Sequence, residues 1–138
     1  MASLIYDSFL DEVQHAAIDL DLVTVKAMLV TSAYAPDKGV HTKRSDVTNE
    51  VTGTGYTAGG QASTVTVAKD VALHKITTTL AGMTWPTSTI TARGAVYYVS
   101  RGGASSADEL IAYDDFGSNI VTSGGTFTLE DTVLTNQN

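Results

Sequence analysis

The sequence predicts a mainly β fold: a small antiparallel β-sandwich or open barrel with one short N-terminal helix. Three observations carry that expectation. Thr supplies about one residue in seven, and Thr, Ser and Gly together favour strands and turns. Several short runs alternate apolar and polar residues with a period of two. These runs recur at spacings of about ten residues with turn-forming clusters between them, the pattern of small all-β domains. A length of 138 residues fits one β-domain over 1–138.

The helix is expected over 3–17, because Leu4, Ile5, Phe9, Val13, Ala16 and Ala17 recur at three- and four-residue spacing. Asp7, Asp11 and Glu12 fall on its other face, and an acidic turn at Asp19 and Asp21 follows. From there Val23, Val25, Ala27 and Leu29 share one face, so 22–30 reads as a strand. The pattern then stops. Pro36, Gly39 and a Lys43–Arg44 pair mark 31–46 as a long exposed loop. Glycines make 52–61 a series of turns, and 63–68 alternates Thr and Val as a strand that turns at Lys69 and Asp70.

Another strand is expected over 71–80, then a turn around Pro86. The run 89–100 has high β-propensity throughout and is the best candidate for a central strand. A small-residue loop over 101–107 leads to a strand over 110–116, a Ser/Gly turn over 117–125 and a last strand over 126–134. The polar tail 135–138 is expected to fray.

Charge narrows the function. Charged residues make up 17% of the chain, against roughly 25% in an average globular domain. The net charge of −7 repels a phosphate backbone, so nucleic acid is not an expected ligand. With no Cys there is no disulfide framework, thiolate nucleophile or Cys-ligated zinc. A signal peptide is not expected, since the N-terminus carries no basic region ahead of an apolar run, nor is a membrane span, since no stretch approaches about 18 uninterrupted apolar residues; synthesis in the cytoplasm is the expectation.

The clusters that could carry chemistry have simpler readings. His15, His41 and His74 show neither HxH nor HExxH spacing, and His41 alone sits in a loop like a binding residue. Asp19 with Asp21, and Asp114 with Asp115, supply too few oxygens for calcium. The DFG string at Asp115 lacks the other kinase elements. The glycines from Gly53 to Gly60 precede Thr- and Val-rich strand sequence instead of a helix, which argues against a phosphate loop. No GxSxG elbow marks a nucleophile. No enzyme, cofactor, metal or small-molecule substrate is expected. Trp85 precedes Pro86 in a turn, and Tyr97 and Tyr98 point to opposite faces of one strand, so one of them is expected in the core and the other outward or into a partner.

Three blocks resemble a known family as a set: LVTSAYAPD with DVTNEVTGTGYTAGG, then TWPTSTITARGAVYY, then LIAYDDFGS with SGGTFTL. They are similar to small virion structural proteins of tailed bacteriophages, over about Ile5 to Leu129. The chain departs from that pattern at Gly94, where a larger aromatic is expected, and lacks a Trp in its C-terminal strand. The resemblance implies a virion protein without catalysis. It would be a capsid decoration or cement protein that clamps major capsid protein on the outer shell, as a homotrimer. A tail, baseplate or fibre-associated role and a carbohydrate- or receptor-binding module are the alternatives. The last would use the loop aromatics Trp85, Tyr34 and Tyr56. Under the decoration reading the partner-binding residues are Leu4, Ile5, Tyr6 and Phe9 in the N-terminal segment. The loop adds Tyr34, Lys38, His41, Lys43 and Arg44, where scarce basic groups concentrate.

Overall fold

The structure, a computed structural model, describes residues 2–137, with side chains from Leu4 to Gln137. In chain order the elements are β1 (Ala2–Ile5), α1 (Asp7–Gln14), β2 (Thr24–Val30), β3 (Gln61–Ser63), β4 (Val65–Asp70), β5 (Lys75–Leu80), β6 (Met83–Ser88), β7 (Thr91–Ser100), β8 (Leu110–Val121), β9 (Gly125–Leu129) and β10 (Thr132–Gln137). Strand accounts for 51% of the chain and helix for 10%, so the fold is mainly β with antiparallel sheets, consistent with a small sandwich or open barrel.

The runs richest in β-branched and aromatic residues sit at the centre. β7 lies between β8 and β2 in a five-stranded sheet ordered β1-β8-β7-β2-β3. A three-stranded sheet, β10-β5-β4, and a two-stranded one, β6-β9, supply the opposing layer. These two are one long ribbon with a break: Leu80 opposite Thr132 and Met83 opposite Leu129 belong to a single antiparallel register. At the break the Gly82 N–H donates to Asp131 Oδ1 at 2.7 Å.

The central sheet buries both faces. On the inner face Val25, Leu29, Tyr97 and Val99 pack with Leu80, Trp85, Phe127 and Leu129 of the opposing layer. On the outer face Met28, Val30, Val96, Tyr98 and Tyr113 pack beneath Tyr6 and Tyr34, with Leu4 and Val47 at the margin. Each fully buried large apolar side chain contributes about 1.5–3 kcal/mol, so the second core adds substantially to the first. Its consequence is that Tyr97 and Tyr98 are both buried; neither faces outward, because the loop from 31 onward covers the face left open in the sequence-based reading.

The N-terminal element also differs from expectation. Residues 2–5 form β1, paired with β8 from Ala2 opposite Asp115 to Ile5 opposite Ala112. Ile5 packs toward the inner core and Leu4 toward the outer one, an alternation that a strand provides and a helix does not. The helix is confined to α1, whose buried residue is Phe9.

Four boundaries shift for local reasons. Val71 to His74 form the hairpin turn, with the Leu73 N–H donating to Asp70 Oδ1 at 3.0 Å, so Asp70 precedes the turn it was expected to make. Pro86 lies inside β6 at a register shift between Trp85 and Ser88, where a missing N–H is tolerated. Gly117 (φ +81°) serves an irregularity within β8, so that strand continues to Val121 before turning. The expected last strand divides at Glu130–Asp131, and Thr135 to Gln137 are paired with β5 in β10 instead of fraying.

Candidate functional site

The N-terminal segment and the loop 31–46, chosen separately in the sequence, meet over the outer core. The Asp7 N–H donates to Lys38 O at 3.0 Å. The Tyr6 and Tyr34 hydroxyls are 2.8 Å apart, and the Tyr34 hydroxyl is 3.1 Å from His41 Nδ1. The Asp37 N–H also donates to that Nδ1, at 3.2 Å. His41 Nδ1 is therefore an acceptor, Tyr34 donates to it, and Tyr6 donates to Tyr34. The rings reinforce this chain: Tyr34 stacks on His41 at 5.7 Å and meets Tyr113 edge-on at 5.8 Å.

Burial, with the bond to Tyr34, holds the Tyr6 hydroxyl far above the ordinary tyrosine range, and burial raises Tyr34 too. Both stay protonated at neutral pH. This run of hydrogen bonds fixes one segment against the other.

An ionic clasp closes the far end of the loop. Arg44 Nε donates to Asp108 Oδ2 at 2.7 Å, and the guanidinium lies 5.1 Å from the centre of the Tyr98 ring. The Arg101 guanidinium binds Glu109 through both carboxylate oxygens, at 2.9 and 2.5 Å, and donates to Ala17 O at 2.9 Å. Lys43 Nζ is 3.7 Å from Glu12 Oε1. Arg101 holds the Glu109 carboxyl below its ordinary range, whereas burial raises Glu12 despite Lys43. In the same loop the Lys43 and Thr42 N–H groups, both bonded to Asp46, hold that carboxyl low.

No family model, curated protein or solved structure matches the chain. What the site can do must be read from its own groups.

Of the predicted partner-binding residues, Tyr6, Phe9 and Tyr34 are buried, while Leu4, Ile5, His41, Lys43 and Arg44 are half-buried. Lys38 is exposed, as are its neighbours Asp37, Gly39 and Val40. Val40 is 70% exposed. The apolar and ionic members thus shape a rigid base, and the segment 37–40 forms its accessible crest. A sugar platform built from the loop aromatics is not formed: Trp85 and Tyr34 are buried, and Tyr56 tilts against Trp85 at 5.9 Å. Among the described residues no group of three or more His, Asp or Glu is placed to hold a metal ion.

Sequence reasoning missed Glu12, Arg101, Asp108 and Glu109, which pin the loop. It also missed Glu50, whose Oε1 accepts from the Tyr56 hydroxyl at 2.7 Å and the Gly59 N–H at 2.6 Å, ordering the glycine-rich turns. The available signal was the Asp108–Glu109 pair at the start of an apolar strand, where buried acids need partners.

Glycine at position 94 has a direct steric cause. A Cβ there would stand 2.5 Å from Tyr113 Cε2 and 2.6 Å from Asp114 O. The Tyr113 ring fills the space above Gly94, so no aromatic fits at that position.

Proposed function

We propose that this chain is a structural protein of a tailed-phage virion, a capsid decoration protein that binds major capsid protein on the outer shell and stabilises it without catalysis. The observation that supports this reading is the crest at 37–40, presented by a base whose tyrosines and ions are internally satisfied. Such a surface suits docking on a protein of fixed shape, because little side-chain order remains to be imposed on binding. Each contact on a symmetric shell can be modest. Roughly 800 Å² per partner makes a standard interface, and linked contacts on one particle raise occupancy through avidity.

The test uses Lys38→Glu with Val40→Asp, two exposed positions whose replacement leaves both cores intact. Removing the first nine residues is unsuitable, since it deletes β1 and the buried Tyr6 and Phe9. Capsids lacking the protein are mixed with wild type or variant and pelleted. The variant is expected to be lost from the capsid fraction while folding normally. Equal occupancy would remove the crest from the contact, and absence of wild-type binding to capsids would overturn the function.

A further inference from the structure

β4 is an edge strand of the three-stranded sheet, paired on one side with β5. Thr66, Val67, Ala68 and Lys69 are all exposed, and the strand VTVAKD contains no Pro and carries charge only at its last two positions. Proteins usually blunt such an edge with charge, Pro or a bulge, because its free N–H and C=O groups are a template for another strand.

The register of β4 shows which groups are free. Thr64 O accepts from the Ala81 N–H at 2.9 Å. Alternate residues bond inward in an antiparallel ladder, so Thr66, Ala68 and Asp70 face β5, and the backbone groups of Val65, Val67 and Lys69 point to the open side. Val67 also lines a cleft of about 330 Å³ with Val13, Ile18, Asp19, Leu20 and Asp21. That cleft is acidic at its rim and apolar at its floor. Among the described residues, Lys69, Asp19 and Asp21 form no ion pair.

We infer that β4 pairs with β4 of a second copy, antiparallel about a two-fold axis at Val67. An isologous contact places like faces together, which requires residues of the same parity to oppose. Of the registers that satisfy this, the one centred on Val67 sets Val65 opposite Lys69, Val67 opposite Val67, and Lys69 opposite Val65. It uses all three outward-facing residues of each strand, for about six backbone hydrogen bonds. The two half-exposed Val67 side chains cover one another.

Charge selects a second copy over an unrelated partner. Lys69 of each copy crosses to the Val65 position of the other, on the face where Val67 borders Asp19 and Asp21. The unpaired ammonium of one chain meets the unpaired acidic turn of the other, twice per dimer. A strand edge with this border is smaller than a standard interface, so the dimer forms with rising concentration. The inference is independent of the proposed function.

The test is sedimentation velocity over a concentration series, with oxidative cross-linking. Wild type is expected to shift from one copy to two as concentration rises. Val67→Lys sets two ammonium groups across the axis and is expected to remain monomeric; Val67 is 48% exposed, so the fold tolerates the change. Lys69→Glu is expected to weaken the dimer, and adding Asp19→Lys and Asp21→Lys to restore it. The chain has no Cys, so Val67→Cys is expected to give a disulfide-linked dimer on oxidation, faster than Val133→Cys on the same sheet. A monomer at every concentration, a trimer that survives Val67→Lys, or equal cross-linking of the two cysteine variants would each overturn the inference.

Discussion

Replacing Arg44 or Asp108 with Ala tests whether the ionic clasp holds the loop to the sheet, and the two changes should differ. The Asp108 side chain is 1% exposed and the Arg44 side chain 25%. Arg44→Ala leaves a deeply placed carboxylate without its cation, still bonded to the Arg101 N–H at 2.9 Å. Breaking a buried pair in this way costs about 3–5 kcal/mol. Asp108→Ala leaves a guanidinium that is already a quarter exposed and can turn toward solvent. Its main cost is the unpaired Arg101 N–H, about 1–3 kcal/mol. The double variant removes both charges and is expected to cost less than the sum, with a coupling of about 2 kcal/mol. Urea unfolding followed by circular dichroism measures all three. With a urea slope of about 1–3 kcal/mol/M, a cost near the middle of the range for a broken buried pair should lower the Arg44→Ala midpoint by about 2 M. Additive effects, or Asp108→Ala as the more damaging change, would refute an asymmetrically buried pair.

Gly94→Ala should destabilise by about 1–3 kcal/mol, the usual cost of overpacking, because the new methyl meets both the Tyr113 ring and the Asp114 carbonyl; an unchanged melting temperature would show that β8 yields there. Acid should unfold the protein through carboxyls whose pKa is depressed in the fold: Asp46 by backbone N–H groups, Glu109 by Arg101 and Asp115 by Arg93. Their contribution is present above the unfolded value of about 4 and is lost as pH falls through the folded values, so the urea midpoint should drop below about pH 4. Glu12 has the opposite sign, since burial raises it and its ionised form is disfavoured at neutral pH. Glu12→Gln should therefore raise the midpoint at pH 7, with the gain fading on acidification; a lower midpoint at pH 7 would mean that the Lys43 contact outweighs burial.

The strands at the centre were legible because their residues carry the signal themselves. Val23 to Leu29 alternate, and 89–100 is β-prone throughout. The burial of both Tyr97 and Tyr98 had a signal too: Ala95 to Val99 is an unbroken apolar run, which marks a strand covered on two faces. β1 was not legible, since Leu4, Ile5 and Phe9 satisfy a helical spacing as well as a strand, and the choice is made by the free edge of β8 more than a hundred residues away. The Arg44–Asp108 pair spans 64 residues, and no local pattern specifies such a partner.

The basic loop shows how far composition can mislead about a surface. Four of the eight Lys and Arg residues lie between Lys26 and Arg44, which suggests a positive patch. In the fold Lys43 faces Glu12, and Arg44 lies against Asp108 and Tyr98. Their charge is neutralised where it holds the loop down, and Lys38 alone of the loop's cations is free to meet a partner. Among the described residues the other cations without an ion pair are Lys26, Lys69 and Lys75. Lys69 and Lys75 flank the β4–β5 turn, far from Lys38 in sequence. Unpaired positive charge is therefore divided among Lys38 on the 37–40 crest, Lys26 in β2 and the two lysines that flank the β4–β5 turn. If both proposals hold, Lys38→Glu with Val40→Asp should leave the concentration-dependent dimer unchanged, and Val67→Lys should leave binding to capsids unchanged.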